Sequence, residues 1–241
     1  MSDPTMQHGD RPKAGIDSRV FYDRAAFSYD TDMDTELNRS IRQRVRTMLQ
    51  QYCPGTGAVL DFGCGTGADV TGFLEQGRRV LAYDPSAGML ARARARLEDP
   101  VRQKRVVLAG GDMQELYAAI ARFEPVHAVV SNFAVVNLLP DLSVFSELVT
   151  RHLPSVQTVI LGVLNPFYLP DVRAGRWWRG LWAGRRMGAI FCERDEVPTR
   201  RYFVAKIADA LRPKFRLRAS GYRWATIRLL AFQSCAASAK S

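Results

Sequence analysis

A strand followed at once by alternating glycines constrains the fold of this chain more than any other feature. Residues 59–67 read Val-Leu-Asp-Phe-Gly-Cys-Gly-Thr-Gly, which predicts a short buried strand and a glycine-rich turn, with a helix over residues 68–76. Glycine at positions 63, 65 and 67 allows a sharp turn and a close approach to a ligand, because no Cβ stands in the way. Such a loop favours a nucleoside-bearing cofactor.

The loop also satisfies a looser pattern, since Gly63, Gly65 and Ala68 match the G-x-G-x-x-[GA] spacing of dinucleotide-binding proteins. Two details argue against a pyrophosphate ligand. Asp61 stands just before the glycines, where a carboxylate would repel phosphate but suits an ammonium or sulfonium group. The alternation of the glycines also indicates a spread-out loop rather than one folded tightly onto a helix N-terminus.

Polar residues follow the next three predicted strands, at the point where each strand ends. Asp84 follows strand 79–83, and its carboxylate could accept hydrogen bonds from both hydroxyls of a ribose. Strand 105–108 leads to Asp112 and Met113, and strand 126–130 leads to Ser131-Asn132-Phe133. Open α/β sheets bind ligands at the carboxyl edge of their strands, so these residues together predict one site. Taken singly, Asp84 or Asp112 fits an ordinary turn or cap equally well.

Together these segments resemble the class I S-adenosylmethionine-dependent methyltransferases, and most of all the small single-domain group that includes enzymes of the ubiquinone and biotin pathways. The resemblance covers somewhat over half of the chain and is carried by residues 21–26, 29–30, 60–67, 83–90, 111–113 and 131–139. It implies S-adenosylmethionine as cofactor and S-adenosylhomocysteine as product. It says little about the acceptor of the methyl group.

The resemblance also implies roles for residues at the matching positions. Those expected to bind the cofactor are Asp61, Gly63, Cys64, Gly65, Asp84, Pro85, Met89, Asp112, Met113, Ser131, Asn132 and Phe133. Tyr22 and Tyr29 are expected over the mouth of the cofactor site. Arg39, or Arg42 in its place, matches a position that can reach the cofactor carboxylate, although a solvated helix face fits both arginines equally well.

The sequence contains no committed general base. Methyl transfer from a sulfonium displaces a neutral thioether, so positioning and desolvation can drive the reaction, and a base is needed only when the acceptor must lose a proton. Tyr22 and Tyr29 could orient an acceptor, and aromatic packing is their alternative role. Asn137, which stands where relatives often carry His, completes the predicted catalytic set.

The chain departs from the family pattern between residues 164 and 198, where aromatic residues and arginines are concentrated. In this architecture the segment after the fifth strand packs over the active-site edge. One interpretation is a wall of the acceptor pocket, with substrate contacts from Phe167, Trp177, Trp178 and Trp182. A patch at a membrane interface and a plain lid with inward-packed tryptophans are the two alternatives.

We expect an α/β, Rossmann-like fold with a doubly wound sheet of seven strands, mostly parallel, and a C-terminal antiparallel hairpin whose last strand is inserted. A helix over 142–153 precedes the fifth strand at 158–163, a helix over 199–211 follows the insertion, and residues 215–224 and 227–232 form the hairpin. Residues 18–235 are expected to form one methyltransferase domain between disordered tails at 1–17 and 236–241.

Composition limits the setting and the partners. The 241 residues carry a net charge of +10, but the arginines are spread along helices, so no stable nucleic-acid partner is expected. Four scattered cysteines without a C-x-x-C pair argue against a zinc site or a disulfide framework and for a reducing cytoplasm. No apolar run reaches the ~18 residues that a bilayer span needs, so any membrane contact is expected to be peripheral.

The sequence therefore predicts transfer of a methyl group to a small, hydrophobic or aromatic metabolite. The alternative is a membrane-associated, lipid-like acceptor such as a quinone or isoprenoid. A nicotinamide-dependent oxidoreductase and a non-catalytic cofactor-binding protein are more distant alternatives. Nucleic acid and protein acceptors come last, because Ser131-Asn132-Phe133 stands where an N-P-P-[YF] motif would mark attack by an exocyclic amine.

Overall fold

The structure, a computed structural model, describes residues 17–123, 125–168, 173, 175–184, 189–194, 197–221 and 226–236. The two tails that the sequence predicts to be disordered, at 1–17 and 236–241, lie outside the described residues except for Asp17 and Ala236.

A sheet of seven strands forms the centre of the described chain. Together with a separate two-stranded sheet, the described residues form nine strands. In chain order these are β1 (Ala58–Phe62), β2 (Val80–Tyr83), β3 (Val106–Ala109), β4 (Val126–Ser131), β5 (Thr158–Leu164), β6 (Ala189–Arg194), β7 (Val197–Tyr202), β8 (Phe215–Gly221) and β9 (Ile227–Ser234). The main sheet has the order β3-β2-β1-β4-β5-β9-β8, while β6 and β7 pair separately. Strands β1 to β5 are parallel, and β9 lies antiparallel between β5 and β8. The predicted fold with its inserted last strand is confirmed.

Strand β1 shows why the sheet is buried in the middle of the molecule. All five of its residues are buried, as expected for a central parallel strand that is covered on both faces. Successive side chains point to opposite faces, so Leu60 and Phe62 join one apolar core while Val59 joins the other. The edge strand β3 has buried ends and a half-exposed centre.

Helices cover both faces of the sheet. They are α1 (Ser18–Ala25), α2 (Tyr29–Met33), α3 (Glu36–Tyr52), α4 (Ala68–Glu75), α5 (Ala87–Arg96), α6 (Glu98–Arg102), α7 (Met113–Arg122), α8 (Val135–Leu138), α9 (Leu142–Glu147), α10 (Gly175–Gly184) and α11 (Val204–Leu211). A π-helical turn, Leu148–His152, continues α9 to the end of the predicted helix. Among the described helices, none has the combined length and apolarity needed to cross a bilayer.

The predicted helix over 199–211 begins later than expected. Its first residues belong to β7, which pairs antiparallel with β6, and the helix starts only at Val204. The apolar spacing of the helix is real, since Ile207 and Leu211 are buried. The prediction is wrong for residues 199–202, which form part of β7. Their pairing partner β6 lies within the insertion, and this tertiary pairing overrides the local helical pattern.

Asn137 ties the two-stranded sheet to the main sheet. Its side chain is buried, its Nδ2 donates to the Arg200 carbonyl at 2.6 Å, and its Oδ1 accepts from the Leu164 amide at 2.9 Å. The Tyr202 hydroxyl donates to the Leu139 carbonyl at 3.1 Å. Because these bonds join α8 to the end of β5 and to β7, the position of the hairpin fixes the backbone around α8.

We predict that Asn137→Ala lowers the free energy of unfolding by about 2 kcal/mol, because two partly buried backbone groups lose their hydrogen-bond partner. Urea denaturation followed by circular dichroism measures this change. Gln103→Ala removes an exposed amide and should stay within about 0.5 kcal/mol of the wild type. Equal stability of the Asn137 variant and the wild type would contradict the proposed tie.

Candidate functional site

A cavity of about 360 Å³ opens at the carboxyl edge of the parallel strands, where the sequence places its predicted site. Its described lining includes residues of α1, α2 and α3, the glycine loop, the ends of β2 and β4, and the start of α5, α7 and α8. From the predicted cofactor set it contains Tyr29, Gly63, Cys64, Gly65, Asp84, Pro85, Met89, Asp112, Met113, Asn132 and Phe133. One edge of the sheet therefore gathers residues that are far apart in the chain.

The turn after β1 requires glycine at two positions. Gly63 and Gly65 have φ angles of +83° and +55°, a region that residues with a Cβ rarely adopt. A Cβ on Gly63 would also stand 2.4 Å from a Val135 methyl carbon. The amides of Gly63 and Cys64 both donate to the Tyr83 carbonyl, at 2.8 and 2.9 Å. These bonds bend the loop toward the end of β2.

Asp84 is held in place from both sides. Its Oδ2 accepts from the Gly65 amide and its Oδ1 from the Ser86 amide, each at 2.9 Å. Burial raises the pKa of Asp84 above its ordinary value, and these two hydrogen bonds counteract the rise. Each carboxylate oxygen can accept a second hydrogen bond, so this fixed group can still receive two neighbouring hydroxyls of a ligand.

Two carboxyl groups near the glycine loop have oxygens without a hydrogen-bond partner among the described residues. Asp61 is buried behind the cavity lining with Oδ2 unpartnered, and Asp69 lines the cavity with Oδ1 unpartnered. Burial raises the pKa of Asp61 well above its ordinary value; Asp69 and Asp84 add to the rise and Arg42 counteracts it. A buried acceptor without a donor is costly, so this end of the cavity fits a cationic donor such as an ammonium group.

Arg42, rather than Arg39, lies at the cavity. Arg42 Nη1 is 3.2 Å from Asp69 Oδ2, and its guanidinium stands 4.6 Å from the centre of the Phe133 ring. Arg39 pairs with Asp34 at 2.6 Å on the surface and is outside the cavity lining. Sequence reasoning named both arginines but missed Asp69, although its position in the first turn after the glycine loop was a usable signal.

Helices α1 and α2 are fastened over the cavity by two aspartates. Asp23 accepts from the Ser86 hydroxyl at 2.6 Å and from the Gly88 amide at 2.9 Å. Asp30 accepts from the Thr66 hydroxyl at 2.5 Å and pairs with Arg96 at 2.9 Å. This places Tyr22 and Tyr29 in the cavity wall, with ring centres 6.2 Å apart.

The half-buried Tyr29 remains a neutral phenol. Burial raises the pKa of Tyr29 above its ordinary value, and the neighbouring Tyr22 adds to the rise. A phenol of this kind can donate a hydrogen bond but does not readily give up its proton. Burial likewise raises the pKa of the Cys64 thiol well above its ordinary value, which keeps it protonated.

Asp112 caps α7 and lines the cavity. Its Oδ1 accepts from the amides of Gln114 and Glu115, at 2.8 and 3.0 Å, as an N-cap does. Met89, Met113 and Pro85 line the same part of the cavity. The apolar side chains and one carboxylate there match what a flat heterocycle with an exocyclic amine requires.

The structure does not bring the predicted substrate residues of the insertion to the cavity. Trp177 is buried and its Nε1 donates to the Pro166 carbonyl at 2.7 Å, while Phe167, Trp178 and Trp182 are exposed. None of the four belongs to the described lining.

The apolar end of the cavity is built from α8 and the residues after it, with Val135, Leu138, Leu139 and Pro140 in the lining. Arg19 and Tyr22 of α1 also line the cavity. Asn137 and Ser131, which the sequence also nominated, are buried outside the described lining. The side chain of Asn137 supports the apolar wall indirectly, through its hydrogen bonds to the backbone of Leu164 and Arg200.

Comparison with known proteins gives a domain match for part of the chain and a shared fold. A family model described as a methyltransferase domain matches residues 59–154, and no curated protein sequence matches the chain. The 1,6-didemethyltoxoflavin-N1-methyltransferase of Burkholderia thailandensis, solved with 1,6-didemethyltoxoflavin and S-adenosylhomocysteine, aligns with a TM-score of 0.61 at 17% identity, over 94% of this chain and 93% of its own.

Two further solved structures show the same likeness. The magnesium protoporphyrin IX methyltransferase of Synechocystis PCC 6803, solved with S-adenosylhomocysteine, has a TM-score of 0.58 and 18% identity over 90% of this chain and 98% of its own. An S-adenosylmethionine-dependent methyltransferase of Mesorhizobium loti has a TM-score of 0.58 and 18% identity over 79% and 96%. At such identities these likenesses show the fold.

The matched residues 59–154 begin in β1 and contain the glycine loop, Asp84, Asp112 and the lining residues of α8. The family match, the sheet order and the cavity with its carboxylates agree with one another. Residues 59–154 therefore match a methyltransferase domain, within a fold that the chain shares with S-adenosylmethionine-dependent methyltransferases.

Proposed function

We propose that the protein transfers the methyl group of S-adenosylmethionine to a small, hydrophobic or aromatic acceptor that enters beside α8. One observation carries this proposal: the cavity continues from the polar glycine loop to an apolar wall made of Val135, Leu138, Leu139 and Pro140. One cavity thus offers polar residues for the cofactor and apolar residues for the acceptor.

The polar end supports an assignment of cofactor contacts. Asp61 and Asp69 would receive the ammonium group, since both have an unpartnered oxygen. Asp84 would receive the two ribose hydroxyls, and Asp112 would accept from the adenine amine while Met89 and Met113 cover the ring. When bound, the cofactor supplies an electrophilic methyl group on a sulfonium.

The apolar end supports catalysis by positioning and desolvation. Val135, Leu138 and Leu139 exclude water from the place where the acceptor would lie, and a dry site favours a reaction in which charge is dispersed. The two tyrosines of the wall, Tyr22 and Tyr29, can orient the acceptor through their hydroxyl groups. We therefore propose an acceptor whose own lone pair attacks, such as a heteroaromatic nitrogen. The N1-methylation named for the Burkholderia relative supports this class of acceptor.

A second candidate acceptor is a lipid-like quinone or isoprenoid. The exposed aromatic side chains of Trp178 and Trp182 favour it, since they could bring the protein to a membrane that holds such an acceptor. For either candidate we propose a small molecule as the partner, in the cytoplasm or at a membrane surface, and no stable nucleic-acid complex.

The proposed reaction is tested by S-adenosylhomocysteine release from the purified protein with S-adenosylmethionine and a panel of heteroaromatic amines, phenols, thiols and short-chain quinols. We expect turnover with an apolar heteroaromatic member of the panel. Turnover confined to quinols would select the second candidate. Turnover with small, charged acceptors alone would contradict the apolar acceptor site.

We predict that Asp84→Ala weakens S-adenosylmethionine binding by about 3 kcal/mol, roughly 100-fold, because two charge-assisted hydrogen bonds to the ribose are lost. Isothermal titration calorimetry gives the dissociation constant, and a thermal melt shows that the variant folds. Asp34→Ala removes a surface carboxylate that pairs with Arg39 and should leave the affinity unchanged. Unchanged affinity in the Asp84 variant would remove Asp84 from the site.

Asp61→Asn should separate stability from binding. Burial raises the pKa of the Asp61 carboxyl in the folded protein. The folded protein therefore loses stability relative to the unfolded chain as the pH rises from about 4, near the unfolded pKa, through the folded pKa. Asparagine does not titrate, so the variant does not show this loss. The stability of the variant relative to the wild type should therefore increase from pH 4 to pH 8 in the absence of ligand, as measured by urea denaturation at about these two values.

The same variant should bind S-adenosylmethionine at least about tenfold more weakly, because the ammonium group loses a negatively charged partner. Asp209→Asn, which alters a surface carboxylate paired with Arg212, serves as the control for both measurements. A stability difference that does not change with pH would contradict the assignment of a raised pKa to Asp61.

A further inference from the structure

Helix α10 presents two tryptophans to solvent. Trp178 and Trp182 are one helical turn apart, so they share a face, and they are 61% and 82% exposed. Phe167 is 50% exposed and lies near this face. The centre of the buried Trp177 ring is 6.3 Å from that of Phe167 and 4.8 Å from that of Trp178, so Trp177 connects the two. We call Phe167, Trp178 and Trp182 the aromatic patch. Single exposed apolar side chains are normal, whereas several that form one contiguous surface indicate an interaction site.

The patch is held facing outward. Trp177, on the inner side of α10, is buried and donates from Nε1 to the Pro166 carbonyl at 2.7 Å. The helix packs against β6, which pairs with β7. Rotation of α10 to bury Trp178 and Trp182 would break the Trp177 hydrogen bond and expose its ring. The exposure of the patch is therefore a stable feature of the fold.

The amino-acid composition of the sequence around the patch indicates the kind of partner that it binds. Residues 173–186 contain five arginines, at positions 173, 176, 179, 185 and 186, and no aspartate or glutamate. The chain as a whole carries a net charge of +10. Tryptophan prefers the headgroup level of a bilayer, and arginine is attracted to anionic headgroups. A short helix with both residue types matches an element that lies in the plane of an anionic membrane surface.

We propose that the aromatic patch is a docking surface for anionic phospholipid membranes. The protein binds the surface reversibly, with Trp178 and Trp182 at headgroup depth and without crossing the bilayer. This surface is separate from the methyl-transfer site, because no residue of the patch lines the cavity. It therefore does not depend on the identity of the acceptor.

Co-sedimentation of the full-length protein with vesicles tests the proposal. The vesicles contain phosphatidylcholine with or without phosphatidylglycerol. We expect binding to vesicles that contain phosphatidylglycerol, a blue shift of tryptophan emission on binding, and weakening as salt is added. The Trp178→Ala/Trp182→Ala double variant should partition roughly tenfold more weakly.

Matched controls isolate the two parts of the surface. Phe27→Ala removes an aromatic side chain that is 85% exposed outside the patch and should bind vesicles as the wild type does. Arg173→Gln, at an exposed arginine of the same stretch of sequence, should weaken binding to anionic vesicles, whereas Arg44→Gln, on the exposed surface of α3, should have a smaller effect. Calorimetry with S-adenosylmethionine should give the same affinity for the tryptophan double variant as for the wild type.

Several outcomes would overturn the proposal. Absence of vesicle binding, or vesicle binding that survives the tryptophan double substitution, would rule out this surface. Equal binding to vesicles with and without phosphatidylglycerol would rule out the anionic partner. Self-association of the wild type that the double substitution abolishes, without vesicle binding, would assign the patch to a second copy of the chain.

Discussion

The hydrogen bond from the Gly65 amide to the Asp84 carboxylate is the contact on which the rest of the site depends. It joins the loop after β1 to the end of β2, and it forms only because Gly63 and Gly65 adopt positive φ angles. The same geometry brings the Gly63 amide to the Tyr83 carbonyl. In this conformation no glycine side chain separates the loop backbone from the cavity, and the Asp84 carboxylate is held in the cavity lining.

The site combines unfavourable buried charge with contacts that hold it in place. Asp61 and Asp69 have oxygens without partners among the described residues, which lowers the stability of the ligand-free protein but prepares the site for a cation. Asp23 and Asp30 fasten α1 and α2 over it, through Ser86 and Thr66. Asp30 thereby links α2 to the glycine loop, and Asp23 links α1 to the start of α5.

Much of the fold and of the polar end followed from the sequence, because strand ends, glycine turns and helix caps are local signals. The apolar end did not follow. Strand β7 needs a partner from a segment without a clear pattern, and Asn137 took its role from that pairing. The sequence left a pocket wall, a membrane patch and a lid as alternatives for the tryptophans, because their direction is set by the packing of Trp177. Arg39 and Arg42 are one helical turn apart, and only tertiary structure distinguishes them.

The central claim is that one cavity holds S-adenosylmethionine with its ammonium near Asp61 and Asp69 and its ribose on Asp84. A crystal structure of the protein with S-adenosylhomocysteine tests this most directly. The account predicts both ribose hydroxyls within about 3 Å of the Asp84 carboxylate and the amine at hydrogen-bond distance from an oxygen of Asp61 or Asp69. A ligand bound elsewhere, or one whose ribose does not contact Asp84, would contradict it.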